Sequence, residues 1–321
     1  MNGRKAPWVV GPRLRTAGCV PRVAGLPWRS HCNGWIRGGT VMGGPHVGNG
    51  VAGVVLLLAS VVPGMGAEVE AVPEIRPGIL AGYLEPASRP DSTVLVPPPP
   101  APGSQAEALD LAVSARVSTL RDGPRWRLAA QDAELHFPEA AGAFACALGF
   151  AVERAHTPRL HRLLRRILAD AGLATYGAKR RYARQRPFLR NGAPICTPES
   201  RAELAEDGSY PSGHAAVGWA WALVLAELVP DRADRILARG RAFGQSRVVC
   251  NVHWQSDVVE GLVVGAAVVA RLHADADFRR DLEAARRELA SVAAPPPDRA
   301  QCEREVAALA VASGAPWPAF R

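Results

Sequence analysis

Strand-like alternation of apolar and polar residues is nearly absent from this 321-residue chain. Aromatic residues make up only 6% of it, and isoleucine and threonine are scarce beside alanine, leucine and arginine. A chain rich in alanine, leucine and arginine and poor in isoleucine, threonine and aromatic side chains favours helices over sheets, so an all-α domain is expected. Long apolar runs are missing too. The run Val51 to Val62 (VAGVVLLLASVV) falls well short of the roughly 20 residues that a membrane-spanning helix needs. No cysteine stands in a CxxC pair and no histidine has zinc-finger spacing, which argues against a structural zinc site. No carboxylate cluster offers an obvious site for a hard metal.

Negative charge is absent from the first 41 residues, which hold seven Lys or Arg and no Asp or Glu. Residues 42–67 carry no charged side chain at all. Seven of the eight net positive charges therefore belong to the leader, and the body of the protein is nearly neutral. A nucleic-acid partner, which needs a basic face on the folded body, is excluded by that distribution. The apolar run with PGMGA behind it reads as a signal peptide over 42–67, cleaved near Gly66 or Ala67. Residues 1–41 then read as an over-called leader, with synthesis starting at Met42, or as a long n-region; a membrane-tethered anchor is the alternative. Export allows the four remaining cysteines, Cys146, Cys196, Cys250 and Cys302, to form disulfides.

Residues 68–103 are Pro-rich and end in VPPPPAPGS, which predicts an extended arm. Helical periodicity begins near 104. Helices are expected over 104–121, 129–136, 139–153, 158–171, 173–185, 213–228, 231–245, 254–273 and 276–291, in one compact bundle over 104–292. AAPPPD at 293–298 breaks the last long helix, and a C-terminal tail with a short amphipathic helix follows over 293–321.

Three stretches could carry chemistry. In KRRYARQRP, Lys179 and Arg186 are seven apart, so on one helix they project from one face and make an anion clamp; a solvated basic face is the bland reading. In GSYPSGH, Ser212 is a natural N-cap, and Gly213 and His214 lie in the first turn, where backbone N–H groups and the helix dipole favour an anion. A capped core helix accounts for Ser212 but not for His214. In SRVVCNVHWQSD, His253 and Asp257 are four apart. A carboxylate there can fix the imidazole tautomer and leave the opposite nitrogen free to attack, while Arg247 adds a third cation. Singly, each stretch is ordinary. Together they supply what phosphoryl transfer through histidine needs.

The combination Lys179-x6-Arg186-Pro187, Pro211-Ser212-Gly213-His214 and Ser246-Arg247-x5-His253-x3-Asp257 resembles the three-part signature of the type 2 phosphatidic acid phosphatase and vanadium haloperoxidase superfamily. From about Gly82 to residue 291 the chain looks most like the bacterial class A non-specific acid phosphatases. Ala215 departs from the threonine usual after PSGH there. The resemblance implies an all-helical domain of the acid phosphatase and haloperoxidase type. It makes His253 the nucleophile, Asp257 its orienter and His214 the general acid. Lys179, Arg186, Arg247, Ser212 and Gly213 would bind phosphate. It also implies a Cys196–Cys250 disulfide, with Cys146 and Cys302 left open. The implied activity is metal-free hydrolysis of small phosphate monoesters by a periplasmic enzyme that is not integral to the membrane after processing; homo-oligomerisation is open. The rival readings are a vanadium-dependent haloperoxidase in the same pocket, a lipid phosphatase and a non-catalytic exported phosphate-binding protein.

Overall fold

The computed structural model describes residues 72–313, with side chains to residue 310. The leader, the signal-peptide reading, the first residues of the arm and the end of the tail lie outside the described residues. The described chain is helical apart from one short antiparallel hairpin, β1 (Glu74–Arg76) with β2 (Ile79–Leu80). After it come α1 (Ser92–Leu95), α2 (Gln105–Val117), α3 (Pro124–Gln131) and α4 (Ala145–Leu148). Then follow α5 (Pro158–Ala174), α6 (Tyr176–Tyr182), α7 (Pro187–Asn191) and α8 (Arg201–Glu206). The last five are α9 (Gly213–Leu228), α10 (Ala233–Val249), α11 (Gln255–Leu272), α12 (Ala276–Ser291) and α13 (Arg299–Ser313). No helix among the described residues is long and apolar enough to cross a membrane.

Helix α9 is the axis of the bundle. Its sequence, GHAAVGWAWALVLAEL, is apolar on every side, and it packs against α5, α10 and α11. A helix with no polar face must be surrounded. Trp221 is 1% exposed and anchors it, donating its indole N–H to the Leu164 carbonyl of α5 at 2.9 Å. Burying such side chains stabilises the fold by about 1.5–3 kcal/mol each. Glycine sets how closely the neighbours approach. A Cβ on Gly261 of α11 would lie 2.5 Å from the Ser212 carbonyl oxygen, so any side chain there would force α11 away from the start of α9.

Several boundaries differ from those expected. The helix placed at 129–136 lies at Pro124–Gln131, because Pro124 opens it and Asp132 closes it. The segment 139–153 is a 3-10 helix and then one α turn, stopped by Gly149 in the left-handed conformation. The helix expected over 173–185 is interrupted at Thr175 and ends at Tyr182, where Ala183 turns left-handed at φ 40°. Helices α7 and α8 were not anticipated; they are short and carry little periodicity. The structure joins Cys196 to Cys250 and Cys146 to Cys302. The second bridge ties α13 to α4.

Candidate active site

The N-terminal ends of α9 and α11 meet, and the short helix α6 and the loop before α7 close over them. Ser212 caps α9 through its hydroxyl, which accepts the Ala215 N–H at 3.3 Å. Its own N–H donates to the Asp257 carbonyl oxygen at 2.9 Å, which joins the two helix starts. Ala215 is fully buried, and its Cβ faces Gly244 and Gly261. The methyl therefore fills the junction of α9, α10 and α11, where a larger side chain would need more room. The N–H groups of Gly213 and His214 lie in the first turn of α9 and have no intrahelical acceptor.

His253 and Asp257 do not share a helix, contrary to the expectation from their spacing. His253 lies in the turn before α11, Trp254 is the N-cap and Asp257 is the third helical residue. The pair still meets, because the Asp257 carboxylate reaches back over the helix start. Its Oδ2 accepts the Trp254 N–H at 2.8 Å and lies 3.2 Å from His253 Nδ1. The turn that presents His253 is built by Asn251 at φ 63°, a conformation asparagine tolerates better than most residues. The Asn251 amide also donates to the Ala193 and Pro194 carbonyls, and the Arg247 carbonyl accepts the N–H groups of Val252 and His253.

The tautomer of His253 follows from its neighbours. Arg186 Nη1 lies 3.1 Å from His253 Nε2 and donates to the Val252 carbonyl at 2.9 Å. A guanidinium can only donate, so Nε2 is the acceptor and carries the lone pair. The ring proton is then on Nδ1, where Asp257 receives it. His214 is held the opposite way. Its Nε2 donates to the Ala133 carbonyl at 2.9 Å, which leaves Nδ1 for any proton transfer.

Lys179 and Arg186 do converge, but not as two turns of one helix. Lys179 is on α6, the chain reverses at Ala183, and Arg186 is the extended residue before α7. What unites them is Asp207, whose Oδ2 accepts from Lys179 Nζ at 3.0 Å and from Arg186 Nη2 at 3.1 Å. Arg247 is 2% exposed, and its Nε and Nη1 meet no acceptor among the described residues. Two buried guanidinium nitrogens without a partner are costly unless an anion answers them.

This density of positive charge sets the protonation states. Burial, then Arg186 and Lys179, push the His253 pKa well below that of free histidine. Burial, then Arg247, do the same to His214. Lys179 falls to about 8, through burial and then Arg186. Burial raises Asp257, opposed by Arg184 and by the Trp254 N–H. Both imidazoles are thus neutral at neutral pH.

A model of the PAP2 superfamily matches residues 163–281. The acid phosphatase of Zymomonas mobilis is 44% identical over 220 residues, which cover 68% of this chain and 83% of that protein. The chain belongs to the acid phosphatases of the PAP2 superfamily. The non-specific acid phosphatase of Providencia stuartii is 43% identical over 211 residues, 65% of this chain and 85% of the relative. That of Salmonella typhimurium is 38% identical over 208 residues, 64% and 83% respectively.

Membership of this acid phosphatase family does not by itself account for the residues that hold the site together. Arg184 is one such residue. It bridges Asp257 Oδ1 at 2.6 Å and Asp110 Oδ2 at 2.8 Å, and it also donates to Ser256 Oγ. Asp110, from α2, caps the start of α11 by accepting the Ser256 N–H at 2.8 Å. Arg184 sits inside KRRYARQR, where five cations in eight residues hide which ones turn inward. Asp207 directly precedes GSYPSGH, but a lone acid before a glycine reads as loop.

Proposed function

We propose that the protein hydrolyses small phosphate monoesters through a phosphohistidine on His253, without a metal. The observation that carries this reading is the His253 tautomer, with its Nε2 lone pair turned toward Arg186 and its Nδ1 proton given to Asp257. Lys179, Arg186, Arg247, Ser212 and the first-turn N–H groups of Gly213 and His214 would hold the three non-bridging oxygens. In the first step His253 Nε2 bonds to phosphorus as the ester oxygen departs, taking a proton from Nδ1 of His214. In the second step water attacks the phosphohistidine and gives its proton back to His214. The N–P bond breaks and inorganic phosphate leaves.

The negative charge of bound phosphate raises the pKa of His214, which is otherwise held low, and so arms the acid only when substrate is present. An optimum on the acid side of neutral follows; a rate that climbs steadily above pH 8 would contradict it. The test is hydrolysis of p-nitrophenyl phosphate at pH 5–7 with chelator present, by wild type and by His253→Ala. Chelator-resistant turnover that the variant loses, with a phosphorylated His253 peptide after alkaline quench, is the expected result. Turnover that survives in His253→Ala would reassign the nucleophile.

The same reading places the enzyme in the periplasm. The Val51–Val62 run and two disulfides, Cys146–Cys302 and Cys196–Cys250, suit an exported chain in an oxidising compartment. Cell fractionation with N-terminal sequencing of the mature protein tests it; a cytoplasmic chain retaining Cys19 would refute it.

A further inference from the structure

Asp207 stands between α8 and the turn into α9, and it holds both cations of the clamp at once. Lys179 Nζ and Arg186 Nη2 donate to its carboxylate at 3.0 and 3.1 Å. The same short stretch also holds them by main chain. Arg186 Nε donates to the Asp207 carbonyl at 3.0 Å, and Lys179 Nζ donates to the Gly208 carbonyl. The two sets of contacts differ in kind. The carbonyls are neutral and fix where the cations point. The carboxylate carries charge, and it lies on the solvent side of the clamp: its side chain is 35% exposed, against 5% for Lys179 and 2% for Arg186.

We propose that Asp207 is an internal anion that competes with phosphate for Lys179 and Arg186 and thereby sets the affinity of the site for both ester and inorganic phosphate. The proposal rests on the reading of this site as a phosphate site. Arg186 spends Nε on the Asp207 carbonyl, and Nη1 on the Val252 carbonyl and His253. Its Nη2, now on the Asp207 carboxylate, is the nitrogen that an arriving phosphate can claim at least cost. If the carboxylate moves aside, binding loses two charge-assisted bonds before it gains any. If it stays, it repels the incoming anion across a site otherwise rich in positive charge. Both routes weaken binding, and both speed release of the phosphate product. A carboxylate placed only to orient the clamp would be redundant with the two carbonyls already doing so.

The experiment compares wild type with Asp207→Asn and Asp207→Ser. It measures KM for p-nitrophenyl phosphate and Ki for inorganic phosphate at one ionic strength. Both substitutions keep the backbone carbonyls and remove the charge. KM and Ki should both fall by roughly three- to tenfold, the size expected for one partly exposed ion-pair partner. Damage to a merely structural residue would not tighten an inhibitor. Values that are unchanged or raised in both variants overturn the proposal. If wild type hydrolyses nothing, the functional reading fails on its own. Calorimetric titration with inorganic phosphate then decides the role of Asp207: tighter binding to Asp207→Asn supports it, and equal or weaker binding refutes it.

Discussion

Two of the buried charge clusters among the described residues are built from similar residue types to opposite ends. The first joins α3, α10 and α13. Arg239 pairs with Asp132 and, at 3.1 Å, with Glu305, while Arg125 and Ser246 complete the ring at 2.9 Å. Its two arginines are matched by two acids. The second is the proposed phosphate site, where Lys179 and Arg186 share Asp207 and Arg247 lies buried beside them. Among the described residues the balanced cluster leaves one guanidinium nitrogen, Arg125 Nε, without an acceptor. The unbalanced one keeps two Arg247 nitrogens without an acceptor. Balance therefore distinguishes a structural ion network from a binding site better than burial does, since both are buried.

Substitution sharpens that contrast. The largest effect is expected from His253→Ala, which should lower kcat by at least about 10⁴-fold, measured with p-nitrophenyl phosphate, because no other group supplies the nucleophile. Asp257→Asn should lower kcat by about 10³-fold, because the imidazole loses the acceptor that fixes its tautomer. It should also lower the melting temperature, since Arg184 loses one of its two carboxylates. In the balanced cluster, Glu305→Gln should behave the other way. It removes one partner of a buried pair, so a loss of about 2 kcal/mol is expected, roughly 5 °C in the melting temperature, with KM unchanged. A large change in KM with an unaltered melting curve would erase the distinction between the clusters.

The smallest effect is a pH dependence. Lys179, depressed to about 8 by burial and by Arg186, is charged below that pH and loses its charge above it. KM should therefore rise by about fivefold between pH 8 and pH 9. Lys179→Arg, whose charge persists, should flatten that rise; an equally steep rise in the variant would place the titration elsewhere. On the acid side, His253 is held well below the ordinary imidazole range, so kcat/KM should hold its value down through pH 6.

Much of this was legible in the sequence. The long helices α5, α9, α11 and α12 lay where periodicity and punctuation put them, because each is long enough for its apolar pattern to be unambiguous. The catalytic candidates could be named because their residue types are odd in their settings, such as a histidine in the first turn of an apolar helix. What could not be read was how they meet. The seven-residue spacing of Lys179 and Arg186 implied one helix, but Ala183 turns left-handed and sends the chain back, a reversal that alanine does not advertise. The spacing of His253 and Asp257 implied a helical face, but the helix starts between them. Arg184, Asp110 and Asp207 were illegible for a third reason. Their partners lie 21 or more positions away, and only the fold brings them together.

The contact between Arg186 and His253 Nε2 bears on what else this imidazole can react with. A lone pair already engaged by a guanidinium is a poor target for neutral electrophiles that wander into the cleft, such as acylating or alkylating agents. Only a visitor with enough negative charge to draw Arg186 onto itself sets the nitrogen free. On the proposed reading, Arg186 both attracts the substrate and acts as a safety catch on the nucleophile, so that discrimination against uncharged reagents comes before any bond is made.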